Sequence, residues 1–394
     1  MNYDFSLEQL LRISQIKDEL NRYKANAENV LDTISHRETN QIPLWFFHIL
    51  EHEMIDRLSG VPIGTYIKNP KQTYNLLQQK AGVNFIDQYL WENPLIMGAH
   101  GYENAEYGAT TGATTIIVND MPINSPEDVI QHLEKYEIPN MQKKLKDFSA
   151  EKFILQLGES ELEIQKDLGM NILKTGYASI MFPLFLYETY GYINYFSAFA
   201  LYPEMIEKYF SAAADYMCVR NQAVLEAYKL YDLPKLNRID HDITDSRGTL
   251  VAPEDLEKLW YPYMYKALAP IVNSDINLIW HCDGNVNAMI DPLIDIGING
   301  FQGFQYEDGV DYASLCKKKT KKGENLFIIA GLSVTRTLPF GTPNDIKNEL
   351  KFLVENGPKT GLALGLSSSC VPGVSYENLK TAIEGLQYYS RKGR

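Results

Sequence analysis

Short apolar runs recur along the chain between longer stretches whose apolar positions repeat at helix spacing. Eight runs stand out: Ile42-Pro43-Leu44-Trp45-Phe46-Phe47, Asn84 to Leu90, Lys152 to Leu157, Leu236 to Ile239, Ile276 to Trp280, Ile298 to Phe304, Leu326 to Leu332 and Gly361 to Leu366. Two more, Thr114 to Val118 and Ala178 to Leu186, fit strand and helix equally well. Residues 1–40 read differently. There Leu7, Leu10, Leu11 and Ile13 to Ile16 recur at helix spacing before a charged stretch, which predicts an N-terminal helical cap. Two later helices carry start signals, Ala252-Pro253-Glu254-Asp255 and Thr342-Pro343-Asn344-Asp345. Each puts proline in the first turn with an acid behind it, where the helix dipole favours negative charge. Strand and helix alternating in this way predict an α/β protein built on a parallel sheet with crossover helices. Eight strands suit closure into a (β/α)8 TIM-type barrel spanning residues 41–394. An open doubly wound sheet is the alternative. No Gly-x-Gly-x-x-Gly or Walker-type loop follows any run, which counts against it.

Charge narrows the function. The 394 residues carry 37 basic and 50 acidic side chains, a formal charge of −13, with only ten arginines. Nucleic-acid phosphates need a basic surface, so no nucleic-acid partner is expected. A site gripping several substrate carboxylates is disfavoured for the same reason. No stretch approaches the ~20 apolar residues of a membrane span, and the N-terminus lacks the plan of a signal peptide. The four cysteines, Cys218, Cys282, Cys316 and Cys370, have no spacing that suggests a disulfide framework. A reducing, cytoplasmic setting follows as the expectation.

In a barrel, chemistry sits where strands end. Arg238-Ile239-Asp240-His241-Asp242 crowds ionisable groups after an apolar run, and Asp240, His241 and Asp242 are the candidate catalytic residues. Ile279-Trp280-His281-Cys282-Asp283-Gly284-Asn285 ends another run. Side chains two apart share a strand face, so His281 and Asp283 point together and Cys282 points away unless the turn at Gly284-Asn285 frees it. Ser367-Ser368-Ser369-Cys370 ends the last run. His281, Asp283 and Cys370, with Cys282 as an alternative, offer the nitrogen, oxygen and sulfur ligands of a zinc site. Trp45, Phe46, Asp87, Tyr89 and Gln305 are candidates to line a substrate cavity. His48 and His52, four apart, read better as a charged helix face than as a metal pair.

The order of motifs resembles the uroporphyrinogen decarboxylase superfamily. The likeness runs through Pro43-Leu44-Trp45, Asp240-His241-Asp242 with Arg247-Gly248 and Pro253-Glu254, and His281-Cys282-Asp283-Gly284-Asn285. It continues through Asp295-Ile296-Gly297-Ile298-Asn299-Gly300-Phe301, Ala330-Gly331-Leu332, Gly341-Thr342-Pro343, Cys370 and Tyr376-Glu377-Asn378-Leu379. The resemblance implies a TIM-type barrel. Porphyrinogen decarboxylases of this superfamily carry arginines after the first strand to hold substrate carboxylates. Here Trp45 is followed by no arginine before Arg57, and Arg supplies the bidentate grip that His and Glu do not. The other branch, the corrinoid-dependent methyltransferases, holds zinc on a His-x-Cys pair and a late Cys. Alignment on Gly284-Asn285 puts His281 at the family's His, Cys370 at its last Cys and Asp283 at its middle Cys.

The expectation is therefore a zinc-assisted methyltransferase. It would take a methyl group from a small methylated donor to a corrinoid (cobamide) carried by a partner protein. A carboxylate in place of a thiolate makes the ion harder and suits an oxygen leaving group, which points to a methoxylated aromatic and O-demethylation. A homodimer is one expected assembly. The alternatives are a metal-free carboxy-lyase using Asp240 or Asp283, and a barrel that binds a corrinoid without catalysis.

Overall fold

The computed structural model describes residues 3–92, 116–303 and 305–393, with the backbone of Met97–Gly98 and Gly101–Tyr102. Six parallel strands form a curled sheet in the order Leu362–Leu366, Phe327–Leu332, Gly300–Gln302, Asn277–His281, Leu236–Asp240 and Gly176–Tyr177. All six residues of Phe327–Leu332 and all five of Leu362–Leu366 are buried. Continuous burial of this kind belongs to strands covered on both faces, so they read as unbroken apolar runs. At Gly331 an added Cβ would stand 2.3 Å from the Ser367 backbone, so the two strands could not approach as they do around a side chain. Phe85–Ile86 pairs in parallel with Leu173–Lys174, just before Gly176–Tyr177. Leu44 bridges to Leu364 and Trp45 to Phe85, both in parallel.

Helices cover the sheet. Pro203–Tyr231 packs against Tyr261–Val272 and Ala150–Leu168. The predicted starts are real: Ala252 precedes the helix Pro253–Leu259, and Thr342 caps Pro343–Asn356 in a reciprocal box with Asp345. Near the N-terminus, Leu7–Lys24 buries Ile13, Ile16 and Leu20, while Leu7, Leu10 and Leu11 face solvent. Among the described residues no helix is long and apolar enough to cross a membrane.

One expected strand is a helix. Lys152 to Leu157 lies inside Ala150–Leu168, where Ser149 caps the first turn and Ile154, Gly158, Leu162, Gln165 and Leu168 bury one face. Six mixed apolar residues cannot separate strand from helix by themselves; the continuing 3.6-residue period does. The strand pairing beside Phe85–Ile86 comes some twenty residues later, at Leu173–Lys174. Ala178 to Leu186 forms neither helix nor strand. The Thr114 to Val118 run begins outside the described residues, and Ile117–Val118 makes a short hairpin with Met121–Pro122. Phe304 also lies outside them.

Candidate metal centre and cavity

The carboxyl ends of the strands surround a cavity of ≈ 340 Å³ lined by Trp45, Phe46, Arg238, Asp240, Asp242, His281 and Asp283 among others. A neighbouring lobe of ≈ 640 Å³ shares His48, Asp283, Ser368 and Ser369 with it. Strand alternation builds the polar wall. Arg238, Asp240 and Asp242 face inward from one strand and its extension, and His281 and Asp283 from the next.

Asp242, His281 and Asp283 each offer one ligand atom, and these atoms lie within 4.8 Å of one another. Their supports favour a cation. His281 Nδ1 lies 3.2 Å from the Gln302 carbonyl oxygen, which can only accept, so Nδ1 holds the proton and the Nε2 lone pair is free. Fixing a ligand imidazole through its other nitrogen is the usual way such a ligand is oriented. Ser368 Oγ donates to Asp283 Oδ2 at 3.1 Å, and the Asp283 N–H donates to Asp242 Oδ1 at 2.9 Å. Asp283 Oδ1 is buried without a hydrogen-bond partner. An orphaned carboxylate oxygen costs free energy that a cation would recover. Burial, with Asp242 beside it, raises the Asp283 pKa to about 6, against the pull of His281. One imidazole and two carboxylates therefore fit a divalent ion, with room for a further ligand.

The thiols expected as ligands are not part of this set. The Cys370 N–H donates to the His48 carbonyl at 2.8 Å, while the Leu50 N–H donates to the Cys370 carbonyl at 3.0 Å. This loop pairing lies four residues beyond the 362–366 strand. Burial, reinforced by Glu51, raises the Cys370 pKa to about 12. Cys282 faces the helix layer, with Sγ 3.3 Å from Thr244 Oγ1, and burial and Asp242 raise its pKa to about 12. Asp242, expected to be catalytic, takes the place of the sulfur in the cluster.

His241 is likewise no rim residue. It stacks on Phe185 and Tyr187, and its Nε2 accepts the Phe185 N–H at 2.9 Å. Burial lowers its pKa to about 3. Asp240 does face the cavity, where the Tyr177 hydroxyl donates to Oδ2 at 2.6 Å. Trp45 and Phe46 line the cavity as expected. Asp87 does not: it is buried behind the wall, accepting from Trp45 Nε1 at 3.0 Å and from Arg238 Nε at 2.6 Å. Tyr89 turns toward the helix Pro70–Ala81, donating to Asn75 Oδ1 at 3.1 Å. Gln305 lines the second lobe and accepts the Gly284 N–H at 3.1 Å, bracing the turn after Asp283.

Arg238 and His48 are among the cavity residues that the sequence reading does not single out. Arg238 carries a buried guanidinium, and its place two before Asp240 on one strand was the available signal. His48 lines both lobes and shares a 2.7 Å hydrogen bond through Nδ1 with Ser369 Oγ. It precedes the helix His52–Ser59, so it is not on a charged helix face; its signal was its position after the Trp45-Phe46-Phe47 run.

Residues 241–389, which hold the triad, match the uroporphyrinogen decarboxylase (URO-D) family. The resemblance to that superfamily stands. The URO-D match thus takes in Asp242, His281 and Asp283 but not Arg238 or Asp240. No curated protein matches the sequence. Among solved structures, a methyltransferase from Methanosarcina mazei is similar at 16% identity and TM-score 0.55, covering 92% of this chain and 98% of its own. At that identity the likeness concerns the fold. A B12-independent methionine synthase from Shewanella sp. W3-18-1, in complex with selenomethionine, matches at 12% identity and TM-score 0.38, over 88% of this chain and 96% of its own. At that score it carries no argument about fold or chemistry.

Proposed function

We propose that this URO-D-like protein is a cytoplasmic methyltransferase that passes a methyl group from a small methylated donor to a corrinoid protein. A methoxylated aromatic is the donor that suits the cavity. The observation that carries the reading is the gathering of Asp242, His281 and Asp283 at the wall of an aromatic-lined cavity. Zinc held by these three would act as a Lewis acid on the heteroatom bearing the methyl group. The chain's own residues do the rest. Gln302 O and Ser368 fix the orientation of His281 and Asp283. Trp45 and Phe46 are the aromatic lining residues that an aromatic donor would meet. Asp240, hydrogen-bonded by Tyr177, is the cavity carboxylate outside the triad and the group able to exchange a proton with bound substrate.

The finer architecture belongs to the same proposal. The Leu44–Leu364 and Trp45–Phe85 bridges support closure of the curled sheet into a (β/α)8 barrel over residues 41–394, with residues 1–40 as its helical cap. The lyase alternative shares the URO-D match, but the cavity's charges favour it less. Arg238 is the only permanently cationic group among the described lining residues of the cavity, and it is already paired with Asp87.

Elemental analysis of the purified protein is expected to give about one zinc per chain. His281→Ala should lose the metal and, with it, methyl transfer to a corrinoid protein. Release of carbon dioxide that survives chelation, or methyl transfer undiminished in His281→Ala, would overturn the reading.

A further inference from the structure

We propose that the donor accepted by this cavity carries no anionic group, so that it is an uncharged aryl methyl ether and not a methoxybenzoate. The inference rests on the methyltransferase reading for its substrate class but on the cavity's charges for its content.

Arg238 is the only Lys or Arg among the described residues lining the two lobes. Its guanidinium is already held by two carboxylates and an amide. Nε donates to Asp87 Oδ2 at 2.6 Å and Nη2 to Gln88 Oε1 at 3.0 Å, while Nη1 lies 3.7 Å from Asp240 Oδ2. The rings of Trp45 and Tyr177 stand 5.3 and 4.7 Å from it. The side chain is 4% exposed and that of Asp87 is 2%. Turning to a substrate carboxylate would strand Asp87 as a buried, uncompensated charge, the costliest way to break a buried pair. The sequence of residues 93–115 contains no lysine or arginine.

Against that one occupied cation stand Asp240, Asp242 and Asp283. A divalent ion shared by Asp242 and Asp283 would cancel both, whereas the single charge of Arg238 faces two carboxylates, Asp87 and Asp240. One negative charge is left over, so the wall stays negative even with the metal bound. His48, half-buried and with its pKa lowered to about 4 by desolvation, adds no positive charge near neutral pH. An anion entering would give up its water for a wall that repels it. An uncharged ring meets Trp45 and Phe46, where it loses nothing comparable.

The test is equilibrium binding to the full-length protein at neutral pH. It compares 2-methoxyphenol with 4-hydroxy-3-methoxybenzoate, which differ by one carboxylate, in zinc-loaded and chelated protein. The phenol is expected to bind at least tenfold more tightly in both forms. Asp240→Asn is expected to narrow that ratio severalfold, whereas a purely structural effect through Tyr177 would weaken both ligands alike. Equal or tighter binding of the benzoate overturns the proposal, as does no saturable binding of either compound or an unchanged ratio in Asp240→Asn. Binding is read without turnover. Selective binding of the phenol with no methyl transfer would refute the methyltransferase reading and uphold the charge rule; transfer from the benzoate at equal affinity would do the reverse.

Discussion

His241 follows the strand Leu236–Asp240 and His281 ends its parallel neighbour, and the His241 N–H donates to the His281 carbonyl at 3.3 Å, yet they inhabit different chemistries. His281 shares its strand face with Asp283 and meets Asp242 across the cavity wall. His241 falls on the opposite face, among Phe185, Tyr187 and Trp260, with both strand neighbours Ile239 and Ile243 buried beside it. Trp280 and Cys282 continue that dry layer from the next strand. One residue of register separates a ligand from a core side chain, because successive side chains in a strand point to opposite faces. Histidine is neither catalytic nor structural by type; the face decides.

The sharpest way to break this contrast is to remove each imidazole in turn. Loss of an outer partner of a metal ligand typically costs ten- to a hundredfold in affinity. Removing the ligand in His281→Ala should therefore cost more than about a hundredfold in zinc affinity, read by chelator competition. His241→Gln should leave that affinity within a few-fold of the wild type. If the two variants lose zinc equally, the division into wet and dry faces is wrong.

Next in size is a change that moves His281 without altering it. Gly303 has φ +78°, and a Cβ there would stand 1.9 Å from His281 Nδ1. Gly303→Ala must push the imidazole away from Gln302 O or distort a turn that alanine tolerates poorly. A loss of about ten- to a hundredfold in zinc affinity is expected, the range for outer partners. The circular dichroism spectrum should be retained.

A third effect belongs to the dry face and appears as pH dependence of stability. His241 has a pKa of about 3 in the folded chain against an ordinary 6.5. The unfolded state therefore binds the extra proton first, and stability falls as pH drops from about 6.5 toward 3. A single such group gives a slope of up to about 1.4 kcal/mol per pH unit within that window. His241→Gln keeps an acceptor within reach of the Phe185 N–H but does not titrate. Denaturant titrations between pH 4 and 6, compared with the wild type, should show a shallower slope in the variant. Parallel slopes would remove His241 from the dry layer.

The same alternation explains what the sequence disclosed. It places His281 with Asp283 and turns Cys282 away, and the structure agrees. Carried across residues 238–242, it also separates His241 from Asp240 and Asp242 and brings Arg238 to the cavity. The expectation that Asp240, His241 and Asp242 are all catalytic runs against that alternation, and His241 is the one it misplaces. Six strands coincide with apolar runs, most plainly Phe327–Leu332 and Leu362–Leu366, where burial on both faces leaves no polar interruption. The strand at Leu173–Lys174 does not, being two residues long and carrying a lysine whose ammonium is satisfied by Glu161 and the Thr175 carbonyl. Asp87 and Tyr89 sit at the end of the expected second strand, but their partners Arg238 and Asn75 come from other parts of the chain. No local pattern announces such pairings.

Cys370 gives the smallest expected effect and a direct comparison between sequence motif and geometry. The motif puts it at the position of a late thiolate ligand, whereas its backbone is pinned to His48 and Leu50 and its thiol sits where burial and Glu51 oppose ionisation. If geometry rules, Cys370→Ala removes only a buried sulfur, at a stability cost on the order of 1 kcal/mol, with the site otherwise intact. Zinc stoichiometry and affinity should match the wild type. If zinc is instead lost from Cys370→Ala and retained by Asp242→Asn, the loop after Leu366 must rearrange on metal binding to bring the sulfur inward. The metal would then lie on His281, Asp283 and Cys370, and Asp242 would return to the wall as a carboxylate free to meet substrate.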